Sequence, residues 1–476
     1  MENLEALFDK WLEEHKQEML DELALWVSHP SVSRADLAAP GAPYGPDCRK
    51  MLDFALERGR HYGFEVNDYD GYCCDIHYGP TDHEIGFVGH LDVVPEGDGW
   101  IYEPYKMNRH GDFLIGRGVG DDKGPTILCL FLMRFFKENN IPLKHGLRLM
   151  MGCAEETGMA DYRHYMEHNM GPVPEVSIVA DSGFPVCYAQ KGSFNAAFQI
   201  PAGKNIVDFT GGTVRNAIPD YAALTVSGVS LADAQRILAK ADRVSVEADG
   251  ENVKIIGHGK AGHAASPDPE VMNSAIVLAA RAALLLEQEA GIDLTGCRCI
   301  AETFPTAFGH GLGIDFEDEM SGKLTINAGV IRREGEHLHL DIDIRFPVSD
   351  TIEAIDAAMR ARLAQFGAEL VDVDTSKPYY IDPNDKKVQA LMSAYRDITG
   401  DETPAFTMGG GTYSRVVPNA MSFGPGFMRG GHHQDFLPEG HGNAHGRDET
   451  MHIGDWLTAF KIYVLSVARL DEAMSE

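Results

Sequence analysis

Polar side chains that could bind metal ions follow several apolar runs of this sequence, at the point where each run ends. The residues in these positions are His90, Asp92, Glu155, Glu156 and Asp181. Between the first two runs, the segment GRGVGDDKGP at 116–125 adds Asp121 and Asp122. So many carboxylates in one crevice would repel one another unless cations lay between them. Imidazole and carboxylate ligands without a thiolate suit Zn²⁺, Mn²⁺ or Co²⁺.

These ligand types also occur in dinuclear metal centres. A carboxylate shared between two ions about 3.5 Å apart is the usual arrangement, and a water between them becomes hydroxide near neutral pH. In His90-Leu91-Asp92, residues two apart on an extended segment face the same way. Asp92 could therefore accept the second ring N–H of His90 and fix its tautomer. Each signal is weak alone, but together they favour a metallo-hydrolase.

Bringing these side chains together requires a sheet whose strands end at one edge, because open α/β sheets carry their sites at carboxyl strand ends. In the first third of the chain, apolar strands alternate with helices, which predicts a βαβ-built, largely parallel sheet. The predicted strands lie at 85–88, 147–153 and 176–180, and the predicted helices at 1–26 and 127–136.

The pattern changes near Lys191 and returns to the first type after Asp382. Between these points we predict an inserted α+β domain with a helix from Leu231, helices at 269–291 and 351–366, and a hairpin of 323–331 with 337–346. The segment 292–322 matches no motif and predicts a solvated loop. After Asp382, a strand at 421–423 and a closing helix at 454–470 should rejoin the first sheet. The catalytic domain is predicted as 1–191 with 381–476, and the inserted domain as 192–380.

Composition limits the kinds of partner. The chain of 476 residues carries 72 acidic against 41 basic side chains, a formal net charge of −31. This charge argues against binding to nucleic acid or an anionic membrane. We expect a soluble cytoplasmic protein, because no run approaches the roughly 20 apolar residues of a membrane span and the start lacks the pattern of a secretory signal. Eight cysteines without a CxxC pair predict reduced, mostly buried thiols.

Four segments resemble one known superfamily. They are GHLDVVPEGDGW at 89–100, GRGVGDDKGP at 116–125, AEETG at 154–158 and the segment around Asp181. In sequence and order they resemble the aminoacylase, acetylornithine deacetylase and carnosinase metallopeptidase superfamily, and within it the PepV-type dinuclear metal dipeptidases of bacteria. The resemblance runs through most of the chain. DDKGP and the Gly-Asp-Gly-Trp tail are specific for the dipeptidase and carnosinase side.

The resemblance implies a full set of metal ligands. His90 and Asp181 would hold one ion, Asp121 would bridge, and Glu156 with a late histidine would hold the other. The family's late histidine begins a His-x-x-x-Glu segment, and HGRDE at 445–449 matches it. This favours His445 over three neighbours, which we interpret as loop or rim residues: His432, His433 and His441. The implied cofactors are two divalent metal ions, Zn²⁺ first, with Mn²⁺ or Co²⁺ as alternatives.

The resemblance also implies roles in catalysis. Glu155 would be the general base that takes a proton from the bridging water and passes it to the leaving amine. The inserted domain would be a lid, and its segment GHGKAGHA at 257–264 would place His263 as the donor that stabilises the oxyanion.

Further lid residues match the family's substrate contacts. Asn216 and Arg345 occupy matching positions, and Arg345 could bind a substrate carboxylate bidentately or be a plain surface arginine. The loop at 409–412, with Gly410, Gly411 and Thr412, could offer backbone N–H groups to the same carboxylate or be a tight turn.

These signals predict a dinuclear metallo-exopeptidase that cleaves dipeptides. The alternative within enzymes is an N-acyl amino acid or diamino acid deacylase with the same metal centre. A non-catalytic binding protein on this fold could dispense with ligands or base, and every expected one is present. The expected partner is a small peptide substrate, with no nucleic acid and no membrane, for a monomer or homodimer. Asp181 is followed by SGFP at 182–185, where relatives often carry another acid, which leaves specificity for the substrate's amino end open.

Overall fold

The computed structural model describes residues 2–264, 274–428 and 430–475. The chain divides into two compact units. The first consists of Met1–Tyr188, Ile381–Phe406 and Thr412–Glu476, and the second of Ala189–Tyr380 and Thr407–Gly411. The helices of the described residues are α1 (Glu2–Val27), α2 (Pro46–His61), α3 (Lys123–Glu138), α4 (Ala160–Glu167), α5 (Leu231–Leu238), α6 (Ala275–Ala290), α7 (Thr295–Thr303), α8 (Ile352–Leu363), α9 (Lys386–Thr399) and α10 (Ile453–Ala473).

The strands vary from two to ten residues. In chain order they are β1 (Glu65–Tyr69), β2 (Cys73–Tyr78), β3 (Glu84–His90), β4 (Asn108–His110), β5 (Phe113–Ile115), β6 (Gly146–Gly152), β7 (Val176–Val179), β8 (Ser182–Phe184), β9 (Val186–Gln190), β10 (Gly192–Pro201), β11 (Ile206–Gly211), β12 (Ala217–Ile218), β13 (Tyr221–Val226), β14 (Val244–Asp249), β15 (Asn252–His258), β16 (Gly262–His263), β17 (Glu317–Asp318), β18 (Gly322–Lys323), β19 (Thr325–Glu334), β20 (His337–Phe346), β21 (Glu369–Ser376), β22 (Tyr379–Tyr380), β23 (Phe406–Met408), β24 (Ala420–Phe423), β25 (Pro425–Phe427) and β26 (Thr450–His452).

The main sheet of the first unit is mixed, with parallel strands at its centre. Its strands follow the order β1-β2-β6-β3-β7-β24-β9. The neighbours from β6 to β24 are parallel, whereas β1, β2 and β9 join antiparallel. The predicted return of the chain to this sheet is confirmed, because β24 pairs with β7. The predicted α/β class with a mixed, largely parallel sheet flanked by helices is confirmed.

Helices α1, α3 and α10 form one packed layer of the first unit. Nearly every residue of α3 is buried, as expected for a helix that is apolar on all sides and covered on all sides. The helical spacing of Phe8 and Trp11 in α1 brings both side chains into the core. The Trp11 indole stacks on Phe460 of α10, with ring centroids 5.5 Å apart. The predicted amphipathic helix at the start of the chain is confirmed.

The second unit is built on an antiparallel sheet of eight strands, in the order β14-β15-β13-β11-β19-β20-β10-β21. The predicted hairpin is present as β19 and β20, which turn at Gly335 with a φ of 62°. Helix α6 covers part of the predicted helix at 269–291, of which 269–273 lie outside the described residues. The expectation of a solvated loop at 292–322 is wrong in part, because α7 forms there and buries Cys297 and Ile300 in the core.

The cysteines agree with the prediction of reduced thiols. All eight are buried, and none forms a disulfide bond within the described residues; six lie in the first unit and two in the second. Among the residues that the structure describes, no helix has the length and apolarity needed to cross a membrane.

Candidate metal centre

The order of the central strands brings the predicted ligands to one edge of the first unit's sheet. Strands β6, β3 and β7 are parallel neighbours, and His90 at the end of β3 pairs with Gly152 at the end of β6. The chain runs on from β6 to Glu155 and Glu156, and from β7 to Asp181. Because parallel strands end at the same edge, these side chains lie close together.

Asp121 lies between the two histidines that were predicted as ligands of different ions. Its Oδ1 is 3.0 Å from Nε2 of His90, and its Oδ2 is 2.9 Å from Nε2 of His445. On one side, Nε2 of His90 is also 3.9 Å from Oδ2 of Asp181. On the other side, Nε2 of His445 is 3.0 Å from Oε2 of Glu156. The five predicted ligands therefore form one cluster with Asp121 at its centre.

Two overlapping groups of ligand atoms meet at His90, with the atoms of each group within 4.8 Å of one another. One contains Asp121 and Glu156, and the other contains Glu155 and Asp181. The general base predicted from the sequence thus lies beside the cluster. Within the described residues, the predicted ligands and the predicted base converge. They can do so because the parallel strands that carry them end at the same edge of the sheet.

The ring of His90 is oriented by the residue that was predicted to fix it. Nδ1 lies 2.9 Å from the backbone carbonyl oxygen of Asp92 and 3.4 Å from its carboxylate Oδ1. Nδ1–H donates to this carbonyl, and Nε2–H donates to Oδ1 of Asp121 at 3.0 Å. Because Nδ1 keeps its proton in this arrangement, loss of the Nε2 proton would leave the tautomer that a metal ion on Nε2 requires.

Asp92 and Asp161 hold the segment that carries the candidate base. The two carboxylate oxygens of Asp92 accept the backbone N–H groups of Glu155 at 3.2 Å and Glu156 at 3.1 Å. Oδ2 of Asp161 accepts the N–H groups of Cys153 and Ala154, both at 2.7 Å. Both carboxylates are fully buried. The backbone from the end of β6 to Glu156 is therefore anchored at four successive residues.

A third buried carboxylate, Glu449, holds the loop that carries Asp121. Its Oε1 accepts the N–H groups of Gly120 at 2.8 Å and Asp121 at 3.0 Å. Its Oε2 accepts from the N–H of Gly118 at 3.1 Å and from Nη1 of Arg117 at 2.8 Å. Nη2 of Arg117 donates to the carbonyl of Gly446 at 3.0 Å, beside His445.

Sequence reasoning missed the roles of Asp161, Glu449 and Arg117. Glu449 had one usable signal, since the His-x-x-x-Glu spacing was used only to choose His445. Arg117 and Asp161 carried none, because the partners of Arg117 are far away in the sequence and Asp161 accepts from residues seven and eight positions earlier, at a spacing that matches no motif.

The pKa shifts of the clustered carboxylates and histidines show that the carboxylates need nearby positive charge. Burial raises the pKa of Asp181 to about 8, and the nearby charge of Asp121 adds to the shift. Hydrogen bonds to Asp121 and Glu156 raise the pKa of His445 to about 11. Burial alone would raise the pKa of Asp121, but hydrogen bonds from His445 and His90 outweigh it and hold that pKa well below its usual range. Protonated imidazoles balance the carboxylates in this state.

The neighbouring Asp122 differs from Asp121 although the two are adjacent in sequence. Its Oδ2 accepts the backbone N–H of His90 at 3.0 Å, whereas its buried Oδ1 has no hydrogen-bond partner among the described residues. Burial raises the pKa of this carboxyl well above its usual range, so a proton on Oδ1 would remove the cost of an unpaired buried charge. Asp122 supports the backbone of β3, and Asp121 faces the cluster.

The sequence pattern of peptidase family M20/M25/M40 matches residues 86–469, which is most of the chain. The chain belongs to this family. It is therefore a hydrolase of the peptidase class.

Two bacterial relatives resemble this M20 peptidase over most of their length. A Bacillus subtilis (strain 168) protein named "Putative dipeptidase YtjP" is 30% identical over 96% of this chain and 97% of the relative. A Staphylococcus aureus (strain bovine RF122 / ET3-1) protein named "Putative dipeptidase SAB1611c" is 28% identical over 87% of this chain and 91% of the relative.

A solved structure supports the fold of the M20 peptidase. Human carnosine dipeptidase 1 matches with a TM-score of 0.59 and 15% identity, covering 98% of this chain and 99% of that one. At this identity the likeness concerns the fold alone.

In the second unit, two segments predicted to contact substrate pair with each other. Strand β12 follows Asn216, and it pairs with β16, where Ala217 lies opposite His263. The carbonyl of Asn216 accepts the N–H of Ala264 at 3.0 Å. The Asn216 side chain is exposed, and the side chain of His263 lies outside the described part of the structure.

Arg345 of the M20 peptidase lies on β20, and its guanidinium is already paired. Nε and Nη2 contact the two carboxylate oxygens of Asp343 at 3.0 Å and 2.8 Å. Only 15% of the Arg345 side chain is exposed. The side chain is thus held in the fork geometry that binds carboxylates bidentately.

The glycine-rich loop contains one deeply buried hydroxyl. Thr412 is 3% exposed, and its Oγ1 lies 2.7 Å from Oγ of Ser422 and accepts the backbone N–H of Ser414 at 3.2 Å. Gly410 and Gly411 are half-buried. The hydroxyl of Thr412 at the end of this loop therefore binds the backbone two residues further along the chain.

Proposed function

We propose that this M20 peptidase is a dinuclear metal-dependent dipeptidase, which hydrolyses the amide bond of free dipeptides. The observation that carries the proposal is the position of Asp121, with Oδ1 at 3.0 Å from Nε2 of His90 and Oδ2 at 2.9 Å from Nε2 of His445. A carboxylate that faces two such ligands suits the bridging position of a two-metal hydrolase. The names of the two bacterial relatives support a dipeptide as substrate.

The donor set fits two divalent ions. Without ions, the carboxylates are balanced by protons on the histidines, and a divalent ion would take the place of those protons. His90 would hold one ion together with Asp181. His445 would hold the other together with Glu156, and Asp121 would bridge them. Mixed imidazole and carboxylate donors favour Zn²⁺, with Mn²⁺ and Co²⁺ as alternatives.

When bound, two such ions would polarise the scissile carbonyl and lower the pKa of a water between them. Glu155 then acts as the general base. Burial raises the pKa of its carboxyl well above the usual range, and the nearby charge of Asp181 adds to the shift. A carboxyl of raised pKa can take a proton from the attacking water and return it to the leaving amine near neutral pH. The N–H···carboxylate bond between Glu155 and Asp92, at 3.2 Å, fixes the position of this base.

We assign catalysis to the domain of residues 1–191 and 381–476, and substrate recognition to the inserted lid of residues 192–380. In this assignment His263 donates to the developing oxyanion. Arg345 would exchange its present partner, Asp343, for the carboxylate of the substrate, and Asn216 adds a polar contact. Gly410, Gly411 and Thr412 would line the same carboxylate position through their backbone.

We place the enzyme in the cytoplasm. Eight buried cysteine thiols that form no disulfide among the described residues support this placement, because reducing compartments keep cysteines in the thiol form.

The test is hydrolysis of Ala-Ala, β-Ala-His, Ala-Ala-Ala and N-acetyl-Ala by chelator-stripped protein, before and after addition of Zn²⁺, Mn²⁺ or Co²⁺. We expect cleavage of the dipeptides alone, and only after a metal is added. Asp121→Asn should abolish this cleavage, whereas the exposed Asp47→Asn on α2 should retain it. Cleavage of only the acetylated compound would replace the proposal with a deacylase, and inactivity with every metal would contradict it.

A further inference from the structure

Two histidines and a carboxylate converge outside the candidate metal centre, at the start of α10. His452 is the residue before the first turn of α10, Asp455 lies in that turn, and His432 comes from the loop after β25. Nδ1 of His432 lies 2.7 Å from Oδ1 of Asp455, and Nδ1 of His452 lies 3.7 Å from the same oxygen. One possible ligand atom from each residue lies within 4.8 Å of the others.

We propose that His432, His452 and Asp455 form an auxiliary binding site for one transition-metal ion of the Zn²⁺ class. Bonds of about 2.0–2.1 Å from a tetrahedral ion place its ligand atoms about 3.3 Å apart. The two distances to Oδ1 of Asp455, 2.7 Å and 3.7 Å, lie on either side of that value. Shifts of about half an ångström would therefore bring each of these two nitrogens to that spacing from Oδ1, and Nδ1 of His452 would give up the backbone N–H of Asp455 that it now accepts at 3.4 Å. Two imidazoles and a carboxylate favour Zn²⁺, Cu²⁺ or Ni²⁺ over Mg²⁺ or Ca²⁺.

The carboxylate of Asp455 is already held in place for this role. Its Oδ2 accepts the backbone N–H of His432 at 2.8 Å, which fixes the loop against the helix and leaves Oδ1 directed at the two imidazoles. The site lies at a helix N-terminus, where the helix dipole disfavours a cation. Asp455 carries the charge that offsets this effect.

The two rings must move apart to accept an ion. They are stacked, with centroids 3.6 Å apart and an interplanar angle of 17°, whereas two ligands of one tetrahedral ion cannot keep parallel faces. The His432 side chain is 57% exposed, so its ring can tilt away from His452. Ion binding therefore predicts a change at both rings that a proton between His432 and Asp455 does not cause.

The surroundings leave room for the remaining ligands. The three residues line a cavity of about 340 Å³, together with His433 and Gln434. Water in this cavity would complete the coordination. Gly120 and Ala444 line the same cavity, and each directly precedes a candidate ligand of the dinuclear centre in the sequence. A bound ion would tie the loop that leads to His445 to the start of α10.

The experiment measures bound metal per chain, not activity. Full-length chelator-stripped protein is dialysed against Zn²⁺, and its metal content is determined for the Asp121→Asn protein and for the same protein with His432→Ala or Asp455→Asn added. We expect each added substitution to remove one ion per chain. The control is His61→Ala in the same background, since His61 is an exposed histidine on α2; it should remove none. Equal metal content in all four proteins would overturn the proposal.

A second measurement does not depend on substituted residues of the cluster. Ring-nitrogen NMR signals of His432 and His452 are followed while Zn²⁺ is added to Asp121→Asn protein. Both Nδ1 signals should shift together and saturate at one equivalent beyond any ion retained by the dinuclear centre. Unchanged signals at saturation would overturn the site. Because the dinuclear proposal is tested by peptide hydrolysis, either proposal can fail without the other.

Discussion

Buried carboxylates hold the backbone around the candidate catalytic residues of the first unit, whereas the candidate recognition residues of the second unit are held by short, local contacts. Glu449 and Asp92 each accept backbone N–H groups from segments far away in the sequence. Arg345 pairs with Asp343 on its own strand, and Asn216 is exposed beside a ladder of two residues.

Catalysis and substrate recognition place different demands on the backbone. Metal ligands and a general base must be fixed to within about half an ångström to act, so their backbone is anchored by buried groups. Residues that contact varied substrates gain from adjustable positions, which lie at the less stable end of a structure. Substitutions in the first unit should therefore change chemistry and metal affinity, and those in the second should change substrate affinity.

The largest effect is expected at the candidate base. Glu155→Gln removes the proton acceptor but keeps the size of the side chain and the backbone N–H bond to Asp92, so kcat should fall by about 10²–10⁴-fold while the metal content stays the same. The measurement is steady-state dipeptide hydrolysis with metal analysis of the same samples. Glu57→Gln, an exposed glutamate on α2, is the matched control and should leave kcat unchanged. A normal kcat in Glu155→Gln would contradict the assignment of the general base to Glu155 and of the chemistry to the first unit.

An intermediate effect is expected at the anchor of the Asp121 loop. Glu449→Gln replaces an acceptor of backbone N–H groups with an amide that can accept at only one atom, which loosens Asp121 and leaves the buried Arg117 without its charge partner. Metal affinity should fall by about 10–100-fold, with kcat partly restored at high metal concentration.

The matched control for this anchor is Glu439→Gln, an exposed glutamate of the same region. Titration of both proteins with Zn²⁺ gives their dissociation constants, and thermal unfolding is recorded alongside so that binding is compared where both are folded. If Glu449→Gln loses stability but binds metal as tightly as its control, the anchor serves the fold and not the centre.

The smallest effect is expected in the second unit. Arg345→Lys keeps the charge but loses the bidentate fork, so KM for dipeptides should rise by up to about tenfold with little change in kcat. Arg332→Lys, on the neighbouring strand β19, is the matched control because it also pairs with a carboxylate. The measurement is kcat and KM of both variants with Ala-Ala as substrate. A fall in kcat at unchanged KM would mean that Arg345 acts in the catalytic step. It would contradict the division of catalysis and recognition between the two units.

Most of the features that produce a local pattern in the sequence, such as strands and the polar residues at their ends, were predicted. Continuous apolar runs marked β3, β6 and β7, and polar residues after them marked the edge where His90 and Asp181 lie. These signals are local, so they are visible in a single chain.

The remaining features depend on pairing across the chain. The antiparallel edges of the main sheet and the helix α7 depend on neighbours far away in the sequence. Glu449 accepts backbone N–H groups of a distant loop and Asp161 accepts those of the segment just after β6, and no residue pattern records either bond. The predicted substrate contacts came from resemblance, because an arginine or asparagine at a strand end has many uses.

Because each unit contains its own buried cysteines, transient unfolding of each unit can be detected separately. Cys297 and Cys299 lie in the core of the second unit, and the other six thiols lie in the first. A thiol reagent can reach a buried cysteine only when the structure around it opens. Pulsed alkylation followed by peptide mass mapping would therefore time the transient exposure of the two units separately, in the native chain and without any introduced label. Ligands that rigidify only one unit would slow modification of that set alone.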